Sequence, residues 1–204
     1  MVVNVTWLCI VMATLMAAAQ KKDMTASDES AIRELLNAEE FKQEERDELA
    51  KLGGLSPAAF PLFARILDDP KEDGSVAVRT LRVLSEIKAD RSQFLERAVA
   101  KLAHSHPSIR RTAVELLAQI GSERDAAPIV ALLWDEAWEI PFATANTLVA
   151  IGDRRALTAM DVWLNSSIHY ADAAGYAVQR KHVIKCREQL KARLDKEKAT
   201  KPKP

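Results

Sequence analysis

The chain has 204 residues, with 48% hydrophobic and 28% charged side chains and a formal net charge of +0. That length suits one domain or one compact array, and the balanced charge leaves no global field to draw the molecule to nucleic acid or an anionic membrane. Six glycines and a shortage of alternating β-branched runs argue against a sheet protein.

Residues 1–19 carry no charge, the run from Val5 to Met16 is apolar, and Ala17-Ala18-Ala19 precedes Gln20. This pattern predicts a secretory signal peptide cleaved near Ala19, and hence a periplasmic or extracellular protein. The alternative is a retained membrane anchor over residues 2–19, because the uncharged stretch approaches spanning length. After cleavage Cys186 is the one cysteine left, so no internal disulfide is expected and stability must come from a helical core.

Residues 20–27 are polar and read as a flexible tether, and the ordered array is expected over 28–199. A helix is predicted from Asp28 to Leu52, capped by Ser27 or Asp28, with Ile32, Leu35, Leu36, Phe41, Leu49 and Leu52 apolar. Its acidic stretch from Glu39 to Glu48 matches no EF-hand spacing and reads as a solvated face. Gly53-Gly54 ends it. Ser56-Pro57 opens the next helix, proline being tolerated in a first turn, and Asp68-Asp69-Pro70 closes it after Phe60, Leu62, Phe63, Ile66 and Leu67. Residues 70–75 make a turn. The stretch 75–88 is then helical, and Phe94, Leu95, Ala98, Val99 and Leu102 belong to its partner helix. His104 and His106 lie in the following turn without acidic or cysteine companions, so no metal site is assigned there.

From His106 to Ser167 the chain holds two copies of one unit. Ile120-Gly121 and Ile151-Gly152 stand 31 positions apart, a period typical of helical repeat arrays. Ile109, Ala113, Leu116, Leu117 and Ile120 fall on one helical face of the first copy, with Arg110, Arg111, Glu115 and Gln119 largely on the other. Ile140, Thr144, Thr147, Leu148 and Ile151 repeat that face in the second copy. Gly121 and Gly152 are expected in the left-handed conformation that ends helices, with Ser122 and Asp153 as N-caps of the partner helices. Those partner helices carry Ile129, Leu132 and Leu133, then Leu157, Met160, Trp163 and Leu164. Pro141 sets the start of the second copy's first helix near Ile140, after a longer turn from Trp134 to Glu139. Val76, Leu81, Val83, Leu84 and Ile87 align with Ile109, Val114, Leu116, Leu117 and Ile120 at an offset of 33. In that earlier copy Lys88 stands where the glycine would be. A single hairpin cannot bury its own apolar stripe, so the copies must stack.

The segments around Ile120-Gly121 and Ile151-Gly152, together with His106-Pro107-Ser108-Ile109-Arg110, resemble HEAT repeats, in particular the short HEAT-like class first described in phycobilisome lyases. The resemblance spans roughly residues 56–167. It implies an all-α fold, a right-handed α-solenoid of about four helical hairpins plus a C-terminal helix. It also implies a scaffold or adaptor, with lyases and nucleic-acid enzymes as minority members of the family.

A C-terminal helix is predicted from about Tyr170 to Ala199, followed by a disordered tail at 200–204. From Arg180 on, ten lysines and arginines face three carboxylates. This reads as a solvated capping helix, with anionic lipid, nucleic acid or an acidic protein face as the alternative. His182 stands four residues before Cys186 on this helix. In the absence of an apparent orienting group the pair reads as a packed thiol beside a surface imidazole.

Trp134, Trp138, Trp163 and Tyr170 gather around the last two copies and are the candidate partner-binding residues, since tryptophan and tyrosine often anchor interfaces. Their alternative is core, above all for Trp163 beside Met160 and Leu164. No catalytic set, metal site or cofactor is assigned. The reading is a non-catalytic exported interaction module with an unidentified protein partner, no nucleic acid, and membrane contact only through a retained anchor. A HEAT-like lyase or hydrolase, or a nucleic-acid-binding relative, is the alternative.

Overall fold

The computed structural model describes residues 25–37, 57–87, 90–166 and 173–200, and every regular element among them is helical. The expectations for the leader, the acidic stretch, Tyr170 and the tail lie outside these residues. The chain divides into two compact units, Met1–Arg97 and Ala98–Pro204.

In the first unit, helix α1 (Ala26–Asn37) begins ahead of the two residues expected to cap it, so Ala26 and Ser27 belong to the helix rather than to a tether. A 3₁₀ turn at Pro57–Ala59 leads into α2 (Phe60–Asp68), and Asp73 caps α3 (Gly74–Glu86) by accepting from the Ser75 N–H at 2.8 Å. Every third or fourth residue of these helices is apolar, so each turns one stripe inward. Ile32 and Leu36 from α1, Phe60, Leu62, Phe63 and Ile66 from α2, and Val76, Leu81, Val83 and Leu84 from α3 are buried together. A further 3₁₀ turn (Ser92–Phe94) opens α4 (Leu95–Lys101), within which the division between the units falls. The Phe94 ring meets Phe60 edge-on at 5.2 Å, and the Arg97 guanidinium grips the Asp68 carboxylate with bonds of 2.8–3.0 Å.

The second unit is built on α5 (Pro107–Ile120), α6 (Ala126–Val130), α7 (Glu139–Ile151), α8 (Arg154–Asn165) and α9 (Ala173–Thr200). α7 packs against α5 on one side and α9 on the other, and α8 packs against α6 and α9. Burial fixes the register between copies. Ile109, Arg110, Thr112, Ala113, Val114, Leu116 and Leu117 are buried on α5, and the residues 31 positions later, from Ile140 to Leu148, are buried on α7. At the offset of 33, six of α3's seven buried residues have a buried counterpart on α5. Between α5 and α7 the contact is a tight one, and the Thr147 hydroxyl donates to the Val114 carbonyl at 3.1 Å.

Three expectations change. The helix after Gly121 is broken: a 3₁₀ turn at Glu123–Asp125, the single-turn α6, and another 3₁₀ turn at Ala131–Trp134 replace it. Pro128 lies within that stretch and cannot donate a helical hydrogen bond. Gly121 and Gly152 are not left-handed; they sit at φ −81° and −70°. What requires glycine is close approach. A Cβ would lie 2.6 Å from the Leu117 carbonyl oxygen at Gly121 and 2.4 Å from that of Leu148 at Gly152. Arg110, expected on the solvent face, is buried. Its guanidinium makes two 2.7 Å bonds to the Asp135 carboxylate and donates to the His104 and Ser105 carbonyls at 2.8 Å. Charge-assisted pairing of this bidentate kind offsets the cost of burying the ion.

Candidate functional site

On α7 and the residue preceding it, Trp138, Phe142 and Asn146 recur at every fourth position and therefore share one helical face. Trp138 is 70% exposed, the largest side chain the described surface leaves so open. Its ring stands at 84° to that of Phe142 with centroids 5.8 Å apart, the edge-to-face arrangement that aromatic pairs favour. Arg111 and Glu115 on α5 form the opposite wall of a groove of about 420 Å³, and Glu139 lies beside Trp138. Arg111 is bonded to Glu115 at 2.9 Å, one turn away on the same helix.

Helix α9 holds this arrangement from behind. Gln179 is 3% exposed and donates from its amide to the Trp138 carbonyl at 2.9 Å. Arg193, further along α9, donates to the Val149 carbonyl at 3.0 Å and to the Gly152 carbonyl at the far end of α7. Such terminal carbonyls have no partner within their own helix. α9 thus runs in the same direction as α7 and braces both its ends. Between those points the His182 ring lies 5.0 Å from that of Phe142, and its Nε2 is 3.1 Å from Asn146 Oδ1 and 3.4 Å from Cys186 Sγ.

The Cys186–His182–Asn146 grouping contains the third group that sequence spacing did not reveal. Its electrostatics are those of a packed thiol. Burial pushes the Cys186 thiol up from its ordinary value, against a smaller opposing pull from Lys185, and the side chain is 1% exposed. Burial also holds the His182 imidazole below its ordinary value, although a hydrogen bond to the Phe142 carbonyl works the other way. A thiol whose pKa burial raises is poorly suited to nucleophilic attack, which needs the thiolate. Among the described residues no group of three or more histidines, cysteines and carboxylates is placed to hold a metal ion. His104 Nδ1 accepts from the His106 N–H at 3.0 Å and is thereby engaged by backbone.

The family model for HEAT repeats matches residues 61–140 and again 95–174. The chain belongs to the HEAT-repeat family. Its repeat-type helical architecture is accordingly that of a scaffold or interaction module. No curated protein matches the chain.

Within this HEAT-repeat chain the aromatic candidates separate. Trp138 is presented to solvent, and Trp134 is half-buried beyond the end of α6. Trp163 is 1% exposed and packs in the core with its ring 5.8 Å from that of Tyr176, so it is not available to a partner. Tyr170 lies outside the described residues. Phe142 and Asn146 are unremarkable alone in the sequence, and their four-residue recurrence from Trp138 is the signal that links them; Glu139 lies off that recurrence and carries no such signal.

Proposed function

We propose that this HEAT-repeat chain is a non-catalytic, exported interaction module whose partner docks on the face of α7 that carries Trp138. The carrying observation is that Trp138 is 70% exposed while its backbone is pinned by buried Gln179 and its ring meets that of Phe142 edge-to-face. An exposed tryptophan held in place is a preorganised anchor, because little conformational entropy is left to lose on binding. Burial, which lowers His182 and raises the Cys186 thiol from their ordinary values, supports a packing role for that pair. Export is supported by the uncharged residues 1–19 with their small-residue end.

The test is affinity capture from the native host with the full chain as bait, alongside a Trp138→Ala bait whose far-UV circular dichroism matches the parent. A protein retained by the first bait and lost with the second supports the reading. Equal retention by both baits places the partner elsewhere, and an intact Met1 on the protein isolated from its host removes the export reading.

A further inference from the structure

We infer that the groove beside Trp138 receives an arginine side chain of the partner protein. This rests on the interaction reading above and specifies its chemistry. Trp138 and Phe142 stand at 84°, so their rings wall a corner rather than form a flat stack. The π faces of such a corner attract cations. Glu139 at the same corner makes no ion pair among the described residues, and Arg110, whose charge it feels, is already fully engaged by Asp135 and two carbonyls. The basic residue of the wall, Arg111, is neutralised by Glu115. Burial holds the His182 imidazole, 5.0 Å from the Phe142 ring, below its ordinary value, and Lys185, the basic residue that acts on it, is not part of the groove lining. The lining therefore carries one uncompensated negative charge next to an open indole.

An anion would face both that carboxylate and the negative faces of the rings. A purely apolar group would leave Glu139 desolvated and unpaired, at a cost. Guanidinium suits both walls, since it stacks flat on an aromatic face while donating two parallel bonds to a carboxylate. The groove volume of about 420 Å³ lies within the usual range for small-ligand pockets, about 300–1,000 Å³.

The probe is a short glycine-flanked arginine peptide, with the same peptide carrying citrulline, the neutral isostere, as its control. Binding to the full chain is followed by NMR on the indole N–H of Trp138, which is assigned by its disappearance in Trp138→Phe. Saturable movement of that resonance is expected with arginine, with affinity roughly tenfold weaker for citrulline. Glu139→Gln is expected to weaken arginine binding several-fold, with the circular dichroism spectrum unchanged. Equal affinity for both peptides, movement insensitive to Glu139→Gln, or no movement at millimolar peptide each overturns the inference. A partner captured only when Trp138 is present would survive any of these results, so the interaction reading and its arginine chemistry fail separately.

Discussion

Arg110 carries more of the second unit's stability than its polar character suggests. Its side chain and that of Asp135 are 10% and 6% exposed, and the carboxylate also accepts from the Ala137 N–H at 2.9 Å. One guanidinium thus joins the turn before α5 to the connection that leads into α7. Arg110→Ala would strand the Asp135 carboxylate in a poorly solvated site, and breaking a buried pair in this way costs about 3–5 kcal/mol. Urea unfolding of the full chain measures it, and a loss below about 1 kcal/mol would mean the pair is solvated as a surface pair is. The role of this arginine was hidden in the sequence. Helical periodicity assigns charged residues to the solvent side, and its counter-ion lies 25 positions away in a turn. The apolar stripe around it was legible, because burial of Ile109, Ala113, Leu116 and Leu117 follows directly from their spacing.

At the scale of elements, the sequence located the helix ends better than it explained them. Glycine at the ends of α5 and α7 was read correctly, for the wrong physical reason. Ile87 shows the difference: it ends α3 in similar extended geometry, but its N–H reaches the Val83 carbonyl at 3.2 Å, whereas the bond is 2.9 Å at Gly121 and 2.8 Å at Gly152. The shorter closures leave no room for a Cβ. Gly152→Ala also meets Ala156 Cβ at 3.0 Å, so the end of α7 must lift and repack. A destabilisation of roughly 1–3 kcal/mol is expected, as for other over-packed sites, and thermal unfolding followed at 222 nm tests it. An unchanged midpoint would show that the end of α7 relaxes as freely as that of α3. The broken helix after Gly121 was less legible. Its apolar residues Ile129 and Leu133 are buried as the pattern requires, and neither kind of turn differs enough in periodicity over so few residues to be told apart.

For the molecule as a whole, acidity is the sensitive variable. Burial is the main cause that lowers His104 and His182 from the ordinary value of 6.5. In the window between their lowered folded values and 6.5 the unfolded chain binds protons that the folded chain does not. Stability is therefore complete above the ordinary histidine value and falls as the pH drops through that window. The midpoint of thermal unfolding should decline as the pH is lowered through the ordinary histidine value of 6.5, and a His104→Asn/His182→Asn double variant should decline less. An identical decline in both proteins would assign the effect to other groups. Neither histidine's environment was readable from composition, because burial of each depends on what lies opposite it: the turn at His106 in one case, Phe142 and Asn146 in the other.

The register between α5 and α7 has one further consequence. Pro141 occupies, 31 positions on, the place of Arg110, so α7 cannot repeat the guanidinium clamp that fastens the turn before α5. Gln179 of α9 reaches the Trp138 carbonyl instead, and Arg193 closes the other end. The fastening of this copy is thus borrowed from a later part of the chain. A ribosome delivers α5 with its fastening within one repeat, but it delivers α7 well before α9. Until α9 is made, the Trp138 carbonyl and the carbonyls at the end of α7 lack these donors. The fixed presentation of Trp138 therefore depends on a helix 41 positions further along the chain, and not on its own repeat alone.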